Sequence, residues 1–276
     1  MTFSEELEGE RLVPGETSAE SWAEYLERYR FAAKFVRNRA VVDLACGFGF
    51  GSDVLQRAGA KSVVGVDVDR EAVSYATEHY RNPSLRFALA DGQALPFHSA
   101  SFDACASMGT LAHVRRPQAF LSEIWRVLRP GGLLVLSTPN RLVSNPGRSR
   151  GARPINPYHV MEPTFTEMRR LLGSSFRVKG YYGQMFQPVE TILTPGSLLT
   201  ILARHPALPL LILPRAGEFA RVASGRSSKR RDLRVYRYAV LPFEGRLMAE
   251  AEPRQMILVC VRNAVRADGS PDASAV

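Results

Sequence analysis

The sequence is poor in the features that mark several large protein classes. It has three cysteines in 276 residues, Cys46, Cys105 and Cys260. They are odd in number, widely scattered and without a Cys-x-x-Cys pair. A disulfide scaffold is excluded, no metal site is expected, and reduced thiols suit a cytoplasmic protein. The opening MTFSEELEGERLVPGE is acidic and has no apolar centre, so no signal peptide is expected. Long hydrophobic runs are missing too. Residues 193–214 (LTPGSLLTILARHPALPLLILP) are apolar but interrupted by Arg204, His205 and several prolines, which is too broken for a membrane span. There are no internal repeats.

What is present is ordinary globular material: 45% hydrophobic and 23% charged residues, enough for a sizeable core. The net charge of +9 is concentrated late in the chain. Residues 215–237 carry eight Lys or Arg against Glu218 and Asp232, which suggests an acidic partner or surface.

Along the chain, Trp22, Tyr25, Leu26, Tyr29, Ala33 and Val36 recur at helical spacing after a polar arm of about twenty residues. The run 40–45 (AVVDLA) reads as a buried strand ending in a glycine cluster. Alternation follows: helix 52–58, strand 62–66, helix 70–80, strands 85–88 and 102–107, helix 117–128, a stop at Pro130-Gly131-Gly132, and strand 133–137. Strands and helices in this order predict a doubly wound α/β sheet with right-handed crossovers. Residues 139–163 form a long Pro/Asn/Arg-rich connection. A helix over 164–173, a strand over 175–182 and a last strand over 255–262 complete the pattern.

The first strand runs into Asp43-Leu44-Ala45-Cys46-Gly47-Phe48-Gly49-Phe50-Gly51. Glycines there let a ligand approach the backbone and let the chain turn into a helix. Asp67 ends the second strand twenty residues after Gly47, where a carboxylate can take both hydroxyls of a ribose. Together they predict an adenosine-containing cofactor. A dinucleotide loop would want glycine where Ser52 stands. Asp43 at the strand end would repel a pyrophosphate but hold a cationic amino group, and Asp91-Gly92 offers an acceptor for an adenine amine. S-adenosylmethionine fits this set better than a nicotinamide dinucleotide.

The segments VVDLACGFGFG, VVGVDVD, ADGQALPFHSASFD and IWRVLRPGG resemble, in place and spacing, the motifs of class I S-adenosylmethionine-dependent methyltransferases over about residues 40–140. The resemblance implies a Rossmann-like seven-stranded sheet with helices on both faces. It also implies a cofactor site at Asp43, Ala45, Gly47, Gly49, Asp67, Val68, Asp91, Gly92 and Met108, with Tyr29 and Arg28 of the N-terminal helix closing over it. Ser137-Thr138-Pro139-Asn140-Arg141, Asn156-Pro157-Tyr158-His159-Val160 and Tyr182-Gly183-Gln184 are similar to a bacterial subgroup associated with glycan and cell-surface sugar pathways. One specific acceptor in such a subgroup would be an oligosaccharide-decorated redox cofactor such as mycofactocin. Phe48 and Gly109 stand where many relatives carry glutamate, and Ala112 replaces an acid before His113. The Asn/Asp-Pro-Pro-aromatic run of base-modifying relatives is absent after Ser107, so no nucleic-acid partner is expected.

Methyl transfer to a hydroxyl needs an in-line approach and a base for the departing proton. The candidates are His159, placed first because it lies in the long connection at the C-terminal edge of the sheet, then His113, with Glu162 orienting His159 or acting itself. The expected acceptor is a small molecule or glycan, acidic or lipid-linked, with a sugar hydroxyl first and a quinone, phenol or other lipophilic compound second. A cofactor-binding partner module is the non-enzymatic alternative. The expected organisation is an arm and helix at 1–37, a core at 38–182, a C-terminal cap inserted at 183–254, a last core strand at 255–263 and a tail at 264–276. The apolar and basic halves of the cap suit the rim of the acceptor pocket or a peripheral contact with an anionic membrane surface.

Overall fold

The computed structural model describes residues 12–147, 151–188, 241–242 and 251–263. Most of the polar arm, most of the cap with its apolar stretch and basic run, and the tail lie outside these residues.

Among the described residues seven long strands form one mixed sheet. They are β1 (Ala40–Leu44), β2 (Ser62–Asp67), β3 (Leu85–Leu89), β4 (Phe102–Met108), β5 (Leu128–Pro139), β6 (Phe176–Pro188) and β8 (Ala251–Arg262), and a two-residue strand β7 (Leu241–Pro242) adds an eighth at the edge. The order is β3-β2-β1-β4-β5-β8-β6-β7. β3, β2, β1, β4 and β5 are parallel, and β8 enters antiparallel between β5 and β6. β1 and β4 run parallel, but successive strands are added on one side of β1 up to β3 and on the other from β4, so the crevice above the C-terminal ends of β1 and β4 is where an α/β sheet binds ligands.

The helices are α1 (Ala19–Ala33), α2 (Phe50–Arg57), α3 (Arg70–His79), α4 (Pro117–Val127), the single turn α5 (Arg141–Ser144) and α6 (Phe165–Leu172). Side chains alternate through the continuous apolar strands. Val42, Leu44, Leu134 and Leu136 join Phe120, Ile124 and Met168 on one face. Val41, Val63 and Val135 join Tyr29, Phe31 and Leu55 on the other. Each face is thus covered by helices, as strands apolar on both sides require.

Several boundaries differ from the sequence reading by a few residues, and three of them have a clear local reason. The helix α4 ends at Val127, before Pro130-Gly131-Gly132, because Leu128 is already extended and pairs with Phe102. The next pair is Ala104 with Leu133, so the intervening residues bulge out of the ladder, with Gly131 at φ +75°. β6 runs to Pro188 rather than 182, because β8 begins at Ala251 and pairs with its far end. Ser18 caps α1 by accepting from the Ser21 amide, which starts the helix at Ala19.

Candidate active site

The loop after β1 is built by backbone shape. Ala45, Gly47 and Gly49 lie at φ +56°, +53° and +87°. Glycine suits that region and alanine enters it only under strain. A Cβ at Gly49 would stand 2.7 Å from that of Ala76 and 2.9 Å from the Phe87 ring, so the loop lies against α3 and β3 with no room for a side chain.

Asp67, at the end of β2, fixes this loop. Its two carboxylate oxygens accept the Gly47 amide at 2.8 Å and the Asp69 amide at 3.0 Å. An ionised carboxylate has about four lone-pair sites, so capacity remains for the hydroxyls of a ribose. Asp69 in turn caps α3, accepting from Glu71 and Ala72.

A cavity of about 980 Å³ opens over the β1–β4 crevice. Ala45, Gly47, Asp67, Val68, Asp91, Gly92, Met108 and Tyr29 all line it, together with His113. The sequence reading passed over Phe50, Glu71, Ser74, Gln93, Thr110 and Arg115 on its wall. Phe50 and Gln93 lie inside the glycine and acid segments as spacers. Thr110 and Arg115 follow β4, and Glu71 and Ser74 stand on the first turns of α3; only their places near the C-terminal ends of strands could have flagged these four.

Three expected residues sit elsewhere. Gly49 lies under the loop, where it supports rather than lines the cavity. Asp43 is fully buried beneath the floor; its carboxylate accepts from Ser52 Oγ at 2.7 Å and from the Tyr29 hydroxyl at 3.1 and 3.3 Å. Burial outweighs those two hydrogen bonds and raises its pKa from 3.8 to about 7, with the nearby Asp67 adding to the rise. Burial and the neighbouring Asp43 likewise push the Tyr29 hydroxyl and Cys46 thiol up. Arg28 points away from the cavity. Its Nε donates to Gln184 Oε1 at 2.7 Å, its Nη2 lies 3.4 Å from Glu24, and its guanidinium stacks 4.2 Å over the Tyr25 ring.

The two histidines lie together, with ring centroids 4.9 Å apart in an edge-on arrangement. His113, on the 3₁₀ turn Thr110–His113 after β4, meets the Tyr158 carbonyl at 3.0 Å through Nδ1. A carbonyl only accepts, so Nδ1 carries the proton and, in the neutral ring, Nε2 carries the lone pair. His159 does not line the cavity. Its Nδ1 lies 2.5 Å from Glu162 Oε1 and its Nε2 3.3 Å from the Asn156 amide nitrogen. Glu162 also accepts from Ser144 and Asn145. Burial would raise its pKa, but the hydrogen bonds from His159, Ser144 and Asn145 outweigh it and hold the carboxyl below its ordinary value. Glu162, Arg141, Asn145 and Glu167 border a second, smaller cavity of about 270 Å³ behind the histidines.

The chain matches the methyltransferase domain family over residues 42–136. It is 34% identical over 180 residues to a "Probable S-adenosylmethionine-dependent methyltransferase" of Mycolicibacterium smegmatis, spanning 64% of this chain and 67% of that one. The chain belongs to the S-adenosylmethionine-dependent methyltransferases. A relative from Mycobacterium tuberculosis with the same description is 34% identical over 167 residues, 60% of this chain and 59% of that protein. Among solved structures, a methyltransferase of Mesorhizobium loti superposes with a TM-score of 0.54 at 20% identity, covering 87% of this chain and 98% of its own. S-adenosylmethionine is therefore the cofactor of this methyltransferase. The glycine cradle, the Asp67 carboxylate and a cavity of this size fit that group. Among the described residues no cluster of His, Cys, Asp or Glu could hold a metal ion, and no helix is long and apolar enough to cross a membrane.

Proposed function

We propose that this methyltransferase O-methylates a hydroxyl of a small-molecule acceptor, a sugar or glycosylated compound first, with His113 taking the proton. The observation that carries the reading is that His113 lines the same cavity as the glycine loop while its ring is fixed through Nδ1.

When bound, S-adenosylmethionine supplies a methyl group activated by its sulfonium. Asp67 would accept the ribose hydroxyls, and Asp91, Gly92 and the exposed Val68 would hold the adenine. Met108, Gly109 and Thr110 line the part of the cavity over β1 and β4 that would face the methyl end. With an acceptor hydroxyl placed for in-line attack on that methyl group, Nε2 of His113 would take the hydroxyl proton as the methyl leaves the sulfonium. His159, preferred on sequence, becomes a positioning residue behind it, oriented by Glu162. Asp43 acts through Tyr29 and Ser52 rather than by touching the cofactor.

The sugar reading is supported by the likeness of the 137–141, 156–160 and 182–184 segments to the glycan-pathway subgroup. The aromatic side of the cavity, Tyr25, Phe48 and Phe50, favours a phenol or quinone as the second reading. A phenol, with a pKa of about 10, depends less on a base.

The test is incubation with deuterated-methyl S-adenosylmethionine and fractionated metabolites, with label followed by mass spectrometry. Label in a sugar-containing product supports the first reading, and label only in a quinone or lipid supports the second. No label in any fraction, from protein that binds S-adenosylhomocysteine, counts against both and for a binding module. His113→Ala should lower turnover with cofactor affinity intact; unchanged turnover with a sugar acceptor would remove the base assignment.

A further inference from the structure

Exposed large apolar side chains are unevenly distributed. Among the described residues they are Val68, Leu89, Leu142, Ile155, Tyr158 and Val160. Val68 belongs to the cofactor cavity. Four of the other five stand on the short helix α5 and on residues 155–160, with Ile155 58% and Val160 50% exposed.

The segments that carry these four are tied together. The Ile155 amide donates to Asn145 Oδ1 at 2.5 Å, which brings the loop against the end of α5. The Val160 amide donates to the Ala112 carbonyl at 2.7 Å, which brings it against the turn carrying His113. Pro117 and Val160 border the same small cavity, so the exposed Arg115 and Arg116 stand beside the loop as well.

Residues 104–161 contain eight arginines and one acid, Glu123. Arg126 pairs with Glu123, Arg129 with Asp103 and Arg141 with Glu167, while Arg115 and Arg116 are exposed beside the apolar side chains. Clustered exposed apolar side chains mark an interaction site. An arginine rim selects for a negatively charged partner, and three aliphatic tips with one tyrosine suit shallow insertion rather than a packed protein core.

We propose that the face formed by Leu142, Ile155, Tyr158 and Val160, rimmed by Arg115 and Arg116, docks on an anionic lipid bilayer and holds the His113 edge of the active site at its surface. The apolar tips enter the headgroup region and the arginines meet lipid phosphates. This inference stands apart from the identity of the acceptor, because its test reads vesicle binding.

The experiment is co-sedimentation of the full chain with phosphatidylcholine vesicles with and without phosphatidylglycerol. Binding is expected only to the anionic vesicles, and should fall steeply as salt is raised to about 0.5 M. Arg116→Gln should weaken it roughly fivefold, and Ile155→Ser with Val160→Ser by about tenfold or more. Both variants should keep wild-type affinity for S-adenosylhomocysteine. No binding by the wild type, or equal binding by wild type and both variants, overturns the proposal; the second result would place the attraction elsewhere on the chain. Tyr158→Trp gives a readout that survives loss of the serine variant. Its emission should shift to the blue on anionic vesicles, and an unshifted spectrum counts against docking through this face.

Discussion

Arg28 of α1 and Gln184 of β6, 156 positions apart in sequence, are joined by a 2.7 Å hydrogen bond that closes the N-terminal helix onto the sheet. The Gln184 amide also donates to the Glu24 carbonyl at 2.9 Å, so one side chain holds the helix at two points. Arg28 is only 2% exposed, and a buried donor left unmatched costs about 1–3 kcal/mol. Gln184→Ala should therefore destabilise the protein by that amount in denaturant titration. It should also weaken S-adenosylhomocysteine binding, because Tyr25 and Tyr29 ride on the same helix. Loss of stability with unchanged affinity would show that α1 does not shape the cofactor site.

Cofactor affinity should depend on pH through Asp43. With its pKa raised to about 7, the buried carboxyl is largely protonated below neutrality. For folding, the raised value makes ionisation a penalty that develops between the unfolded pKa of 3.8 and about 7. A cationic ligand above it reverses that preference. Affinity for S-adenosylmethionine should rise with pH by up to about tenfold per unit below 7, then level off. Calorimetry in buffers of different ionisation enthalpy should detect proton release. Asp43→Asn should remove both effects; a pH-dependence unchanged in that variant would assign them to another group.

Gly109 should not tolerate a side chain. It lies at φ +80°, and a Cβ there would stand 2.9 Å from the Tyr25 hydroxyl. Gly109→Ala should cost about 1–3 kcal/mol in stability and displace Tyr25 from the cavity wall. Tyr25→Phe combined with it should recover part of the loss, as measured by thermal unfolding of the single and double variants.

Glu162 should matter most in acid. Its lowered pKa means that the stability it contributes is present above the ordinary value of 4.5 and lost as pH falls through its folded pKa. Glu162→Gln should be less stable than wild type at neutral pH, and the difference should narrow on acidification. If the residue positions His159, the variant should also shift the pH profile of methyl transfer. A stability loss with the profile unmoved would make Glu162 a loop anchor.

The sheet was legible because AVVDL, SVVGVD and LLVLS are continuous apolar runs separated by helix-period segments. The loop chemistry was legible because Gly47, Gly49 and Asp67 keep the strand-end spacing that an adenosine ligand requires. What sequence could not give was direction. Asp43 follows two valines in a buried strand and its position says nothing of which side its carboxylate faces; packing of Tyr29 and Ser52 decides that. Arg28 was drawn away by Gln184, a partner 156 residues distant. The order of the two histidines changed because His159 lies three residues before an acid that captures its ring, whereas His113 is held by a main-chain carbonyl that no residue type announces.

The insertion of β8 between β5 and β6 has a consequence for biosynthesis. Residues 251–262 are the native neighbours of both strands, yet they leave the ribosome last among the described residues. Until then β5 and β6 each present an open row of amides and carbonyls, the kind of edge that invites pairing with another chain. A nascent chain of this protein therefore closes its sheet only after residue 262 has been made. A stop codon ahead of residue 251 would leave the cofactor motifs intact in sequence while stranding the sheet in two pieces.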